Sequence, residues 1–588
     1  MIYKGERMHF SYLAHRFSLI ERTSSRLEIM QLLAELFAML SPLEARIVAY
    51  LVLGQMRPPF LGTAFNFAAK GMEYVAARLL HCSVAEVAVL IEQKGDWGDV
   101  VSQGTWQSTI ELDIATVYAE LERLEDISGS GSFDAKISFL VQLLRSVDPL
   151  SAGYIVRIVM QNLRLGFSDM TMLDAFSWML QGDKKAKPLI ERAYNLVADI
   201  GRIAQLLVAG GLSALKSISV EVGVPIRPAA AERLMTAEDI IAKVGPCFAQ
   251  PKYDGFRLQV HSCIDESGNR VIKFFSRNLL DMSSMFPDLA QAFSCMPYRE
   301  LICEGEALAY DEANGSYLPF QETVKRKRKH QVDMFAQDMP LRLVLFDILY
   351  RDGISYIDTP LDERYPILQE SIGACQSSVL DVAEQVVCDS SFELESYFLA
   401  NIGQGLEGIM AKRKNGIYQP GKRNFNWIKL KRIERGLLDD TIDTVVLGYY
   451  FGQGRRAAFG IGALLVGVYN KERDCFETIA KIGTGLKDHE WVAMKKTCDE
   501  EKVMQQPTDV TVAEGLFPDV WVAPRIVIVV RADEITRSPI HTAGATKFPG
   551  FALRFPRFLS IRSDKSAVDA TTVQEIQELF AQQKRVVF

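Results

Sequence analysis

Over the first 215 residues, apolar side chains return every three to four positions. RLEIMQLLAELFAML (26–40) and FLVQLLRSV (139–147) carry this spacing, and strand-like alternation is rare, so the pattern predicts helices. ISGSGSF, around Ser130 to Ser132, is a break between two of them. Gly223 to Pro228 (GVPIRP) holds two prolines close together and reads as a linker into a new domain. Up to about residue 436, strands and helices mix. RLQVHSCI, VIKFFS, ELICEGEALAY and RLVLFDILY are β-rich, while SFELESYFLANIGQ has helical spacing with Gly405 near its end. Beyond Leu438 short alternating runs (TVVLGYYF, GALLVGVYN, RIVIVVRAD) are separated by Gly, Asn and Asp turns, which suggests a small barrel. TTVQEIQELFAQQ, with Val573, Ile576 and Phe580 in register, predicts a terminal helix.

Length and charge refine this picture. A chain of 588 residues is too long for one core. Its 48% hydrophobic and 24% charged residues are an ordinary globular balance. The longest apolar runs, such as Ala523 to Val530, are strand-sized, so no membrane partner is expected. MIYKGERMHF lacks an apolar continuation, so no secretory signal is read. The nine cysteines are scattered with no C-x-x-C pair, which speaks against a zinc site and a disulfide framework and fits a reducing cytosol. A net charge of −7 does not suggest nucleic acid, so a surface for it must be a local patch. Two basic clusters qualify: KRKRKH (Lys325 to His330), readable as phosphate contact, nuclear signal or solvated face, and eight cations without an acid between Lys412 and Arg432.

The segment richest in chemistry is QPKYDGFR, Gln250 to Arg257. A lysine at a strand end becomes a nucleophile once its proton is lost, and nearby positive charge or desolvation favours that loss. Gly255 would let the backbone approach a nucleotide closely. Alone, K-x-D-G is a short motif that a solvated lysine beside a turn also satisfies. It is followed in order by Ser276-Arg277, Glu304-Gly305-Glu306, Phe346-Asp347, Glu407-Gly408-Ile409-Met410-Ala411-Lys412 and Trp427-Ile428-Lys429-Leu430-Lys431. In this order the segments resemble the motifs of the covalent nucleotidyltransferases. Within them the chain resembles the ATP-dependent DNA ligases of archaeal and eukaryotic-replicative type over nearly its whole length.

The resemblance implies a multidomain architecture: an all-α DNA-binding domain over 1–215, an α+β nucleotidyltransferase (adenylation) domain over 216–436 and an all-β OB-fold barrel over 437–588. It implies that Lys252 attacks the α-phosphate of ATP and holds AMP, and that the enzyme seals nicks in duplex DNA in replication, repair and recombination. Phe346 would stack on adenine. Glu306 and Glu407 are hard oxygen donors suited to Mg²⁺, and Glu304 shares a strand face with Glu306, which the resemblance favours. Lys429 and Lys431 would neutralise the pyrophosphate leaving group. Arg257, Arg277 and Arg423 match ribose- or phosphate-binding positions, where a planar bidentate donor serves well. Where the family has Glu two residues before the nucleophile this chain has Gln250, whose carbonyl can still accept from the adenine amino group. Arg562, Asp564 and Lys565 match the terminal R-x-D-K, which the family uses on pyrophosphate in the first step only. VRADEITRSP (Val530 to Pro539) also resembles the ligase barrel, and YIVRIVMQNLRLGFSD resembles the ligase DNA-binding domain, with Arg164 and Gly166 at a helix end facing phosphate.

Two rival classes stand beside this reading: another enzyme of the superfamily (an RNA ligase or a capping guanylyltransferase) and a nucleic-acid-binding scaffold without catalysis. The helical N-terminal domain with R-x-D-K disfavours the first, and the full set of motif side chains disfavours the second. GQGRRA near Gly452 imitates a dinucleotide loop but lies between two strands and reads as a hairpin turn. No P-loop is present. The expected partner is nicked double-stranded DNA, the expected state a cytoplasmic monomer, nucleoid-associated in a prokaryote. A nuclear setting and a sliding-clamp partner are left open, since QQKRVVF is only faintly like a clamp peptide.

Overall fold

The computed structural model describes the chain except residues 1–6, 24, 109, 164, 312–315, 319–322, 324–325, 327–338, 376, 432–440, 453, 547–548, 564 and 584–588. Two compact units result, Met1–Arg432 and Ile433–Phe588.

The first unit begins with helices from Phe10–Glu21 to Ile200–Ala214 around one apolar core that includes Phe10, Leu33, Phe37, Ile155 and Phe176. Their starts are written locally. In Pro42–Leu51, the Ser41 side chain accepts from Glu44 N while the Glu44 carboxylate accepts from Ser41 N, and proline stands in the first turn. The Ser130–Ser132 break separates Ile114–Asp126 from Ser132–Arg145. Inside this half, buried Arg157 holds Glu21, Asp96 and Asp99 at 3.0, 2.7 and 2.8 Å.

Two sheets follow. One has the order β1 (Ala230–Arg233), β12 (Arg423–Lys431), β11 (Gly408–Arg413), β2 (Cys247–Lys252), β10 (Val386–Cys388). The other runs β4 (Arg270–Ser276), β3 (Phe256–Ile264), β5 (Glu300–Asp311), β7 (Leu341–Arg351), β8 (Ile354–Ser355), with β6 (Ser316–Tyr317) on β5 and β9 (Leu380–Val382) on β7. The chain crosses from the first sheet to the second at Tyr253-Asp254-Gly255, between β2 and β3. A Cβ at Gly255 would lie 2.3 Å from the Ala307 carbonyl oxygen, so the close approach this glycine permits is to a neighbouring strand. The segment SFELESYFLANIGQ forms the helix Ser391–Gly403, and Gly405 follows it with φ +79°.

In the second unit β13 (Ile442–Tyr450) is central. It pairs with β14 (Ala463–Asn470) on one side and with β18 (Val520–Val522) and β19 (Val527–Arg531) on the other. β15 (Cys475–Ile482) extends the sheet through β14, β16 (Lys502–Val503) joins β18, β17 (Val510–Thr511) joins β15, and β22 (Arg557–Ile561) joins β19. β20 (Glu534–Ser538) and β21 (Gly550–Arg554) form a hairpin. Helices Asp488–Glu500 and Val573–Gln583 place Trp491, Met494, Val573 and Ile576 in its core. The G-x-G-x-x-A imitation falls in a 3₁₀ turn, Gly454–Phe459, between antiparallel β13 and β14.

Three sequence expectations are corrected. Cys295 and Cys375 form a disulfide, a pairing that spacing along the chain does not reveal. The run Lys412 to Arg432 is not one solvated patch: Lys412 is 2% exposed, and Lys414 and Lys431 are paired with Asp389 and Glu407. Arg326, the described member of KRKRKH, is buried and bonded to Asp288 at 2.7 Å and to the Met339 carbonyl at 2.9 Å. Among the described residues, no single helix is long and apolar enough to cross a membrane.

Candidate active site

Both sheets of the first unit line a cavity of about 510 Å³. Lys252 reaches it from the end of β2, and Glu407, which precedes β11, stands beside it because Gly408 pairs with Lys252. The Glu407 carboxylate receives Lys252 Nζ on one oxygen and Lys431 Nζ on the other. Burial opposes ionisation of Glu407, but the two ammonium groups hold it below the usual carboxylate range. Lys429 and Lys431 alternate with inward Ile428 and Leu430 along β12, so both face the cavity. Burial, then Lys431 and Arg423, push Lys429 down.

On the facing sheet the two β5 carboxylates behave differently. Glu304 is fully buried and taken up by Arg257 Nη2 (2.8 Å), the Tyr418 hydroxyl (2.9 Å) and Gln259 Nε2 (3.3 Å). Glu306 lines the cavity and accepts from Gly255 N at 3.1 Å. Burial pushes it up to about 7, although Lys252 and Arg257 pull the other way. Glu306 is therefore the acid with oxygen to offer an incoming group.

Phe346 owes its position to a β-bulge. Gly305 pairs with Leu345 and Glu304 with Asp347, which leaves Phe346 as the extra residue. Its ring meets Trp427 edge-on at 6.0 Å, and the guanidinium of Arg257 lies 5.5 Å from both rings. The next residue, Asp347, is locked by a fully buried Arg364 through bonds of 2.8 and 3.1 Å. Gln250, 1% exposed, donates its amide to Gln385 at 3.1 Å and borders the cavity. Arg277 is also on its wall, at an exposed position after β4.

Other expected residues lie elsewhere. Arg423 begins β12, exposed, and is not in the cavity lining. Arg562 and Lys565 belong to the second unit, where both face Asp443 of β13, at 3.6 and 2.6 Å. Arg164 and Asp564 are outside the described residues. Sequence reasoning missed Lys412 and Met410 as cavity residues. Period-two alternation on β11 places them on one face, although the motif that contains them assigns neither a role. Its Nζ donates to the Phe346 carbonyl at 3.1 Å and lies 4.5 Å from the Trp427 ring, and burial pushes it down to about 7. Among the described residues, no group of three or more His, Cys, Asp or Glu is arranged to hold a metal ion.

Three family models match the chain: a DNA ligase N terminus over 9–177, an ATP dependent DNA ligase domain over 228–431 and an ATP dependent DNA ligase C terminal region over 457–565. A probable DNA ligase of Dictyoglomus thermophilum is 43% identical over 581 residues, covering 98% of each chain. DNA ligase 2 of Thermofilum pendens is 37% identical over 98% of each chain. The solved structure titled Pmar-Lig_Pre shares the fold, with a TM-score of 0.55 and 16% identity over 94% of this chain and 99% of that one. With the helical half, the two-sheet cavity and the strand-rich second unit matched along almost the full length, the chain belongs to the ATP-dependent DNA ligases.

Proposed function

We propose that this DNA ligase uses Lys252 as its adenylate carrier. The supporting observation is convergence: motif positions spread from Gln250 to Lys431 share one cavity with the Lys252 amine. Lys252 Nζ would attack the α-phosphorus of ATP, forming an N–P bond as the bond to pyrophosphate breaks, and its ammonium proton would be given up beforehand. The AMP would then pass to the 5′-phosphate of nicked duplex DNA and leave when the 3′-hydroxyl closes the phosphodiester.

Phe346 and Met410 offer adenine an apolar surface and Gln250 an amide. Arg257 and Arg277 are placed for ribose and phosphate, with Arg423 more remote. Lys429 and Lys431 would face the leaving pyrophosphate. Glu306 fits Mg²⁺, since among the described residues its carboxylate accepts only from Gly255 N and this ion takes few protein oxygens while sharing phosphates. Glu407, held by Lys252 and Lys431, would join it only once those ammonium groups turn to phosphate. When bound, Mg²⁺ neutralises phosphate charge. Arg562, Asp564 and Lys565 would serve the ATP step.

We further assign residues 1–215 to DNA binding, with Arg164 as a phosphate contact, 216–436 to adenylation and 437–588 to an OB-fold barrel. The enzyme would act as a cytoplasmic monomer on nicked duplex. Incubation with α-labelled ATP and Mg²⁺ tests the central claim. Label should remain on the denatured protein and vanish in Lys252→Ala with the fold retained, whereas label retained by Lys252→Ala would remove Lys252 from this role.

A further inference from the structure

A chain of buried polar groups runs from the segment before β1 to the cavity. Gly223 N donates to His261 Nδ1 at 2.9 Å. That nitrogen is thus an acceptor, and the neutral ring carries its proton on Nε2, 2.9 Å from Gln259 Oε1. Burial pushes His261 down to about 3, which keeps the ring neutral. Gln259 Oε1 also accepts from Ile226 N at 2.7 Å, while its amide donates to the Ile226 carbonyl at 3.0 Å and to Glu304 at 3.3 Å. Glu304 then holds Arg257, whose other Nη donates to the Ala229 carbonyl at 2.7 Å.

These directions are mutually consistent: each donor named above faces an acceptor. His261, Gln259 and Glu304 are 1%, 3% and 0% exposed, so water does not replace a lost partner cheaply. The same segment is fastened to the helical half. Arg227 N donates to the Asn195 carbonyl at 2.9 Å, and the Arg227 guanidinium reaches Asp169 and lies 4.7 Å from the Tyr194 ring.

We propose that Gln259 and His261 are positioning residues for the ATP reaction: acting through Glu304 they hold Arg257 at the cavity, and through Gly223 and Ile226 they tie it to the segment joining the helical half to the sheets. The inference rests on reading Arg257 as a nucleotide-binding residue. A residue that only stabilised the fold would lower melting temperature without touching ATP affinity. A positioning residue shifts KM for ATP and leaves kcat at saturation nearly unchanged.

The test is self-adenylation of the full chain over a range of ATP concentrations. Gln259→Leu removes the Gln259 bonds to Glu304, Ile226 and His261, and KM for ATP should rise about tenfold with kcat within about twofold. In an Arg257→Leu background, where KM is already raised, Gln259→Leu should add little. Tyr418→Phe removes with one atom a donor to Glu304 and the acceptor of Ala229 N, whose residue's carbonyl holds Arg257, and its KM should rise about threefold even if Gln259→Leu fails to fold. His261→Gln keeps an amide donor toward Gln259 and should lie closer to the parent than His261→Leu. An unchanged KM in Tyr418→Phe, or a Gln259→Leu effect that adds in full to Arg257→Leu, overturns the relay. If Arg257→Leu itself leaves KM unchanged, the reading of Arg257 falls and the relay with it.

Discussion

Lys252 and Glu407 are joined twice. Their side chains form an ion pair, and Glu407 N donates to the Lys252 carbonyl at 3.3 Å. The carboxylate orients the amine, and under the proposal that Lys252 carries AMP the pair must part before the amine reaches ATP. Glu407→Gln keeps the shape and removes the charge. Its rate of self-adenylation should fall by about 10²–10³-fold, the scale of losing one well-placed polar group. Labelled ATP in single turnover measures this, and a rate within threefold of the parent would show that the pair is not needed.

Glu306 gives a pH dependence. Burial raises it to about 7 in the folded chain, so the uncharged acid is preferred there below that value. Its contribution to stability is fully present below its unfolded value and is lost as pH rises through about 7. Under the proposal that Glu306 takes Mg²⁺, the ion needs the charged carboxylate, so self-adenylation should climb through the same range. Glu306→Gln should melt at a higher temperature than the parent at pH 8 while losing the climb in activity. A parallel climb in Glu306→Gln would assign it to another group.

Asp347 and Arg364 make a buried, two-point ion pair beneath the Phe346 bulge. Asp347→Ala leaves the guanidinium buried and uncompensated and should cost about 3–5 kcal/mol, seen as a lower denaturant midpoint. A loss under about 1 kcal/mol would mean that water reaches Arg364 easily.

Arg562 and Lys565 should separate the chemical steps. Both are neutralised by Asp443 within their own unit, so a polyphosphate must outcompete that carboxylate. ATP carries a terminal β,γ-pyrophosphate that can do so, whereas an adenylated nick keeps only the internal diphosphate bridge between AMP and the 5′-phosphate. Lys565→Ala should slow charging with ATP by about 10²-fold and leave sealing of a pre-adenylated nick within about threefold. Equal losses in the two assays would end this division.

Much of the architecture was legible because periodicity changes from 3.6 to 2 after the helical half, and β3, β4, β5 and β7 each coincide with an alternating run. The site was legible through ordered motifs, since strand ends and faces follow from alternation. What alternation could not give was the fate of each charge. Glu304 and Glu306 share a face by spacing, yet one is consumed by Arg257 and Tyr418 while the other lines the cavity. Lys412 belonged to a basic run and lies inside, because its amine meets the carbonyl of Phe346, 66 positions away in the chain.

The bulge at Phe346 has a consequence for how this strand tolerates changes in length. A bulged residue stands outside the regular ladder, and here its carbonyl receives the buried Lys412 amine. Deleting position 346 would leave Leu345 opposite Gly305 and Asp347 opposite Glu304 as they are now, so both halves of β7 would keep their register. What would go is the ring beside Trp427 and the carbonyl that Lys412 meets. The extra residue thus serves the cavity and not the pairing of the sheet.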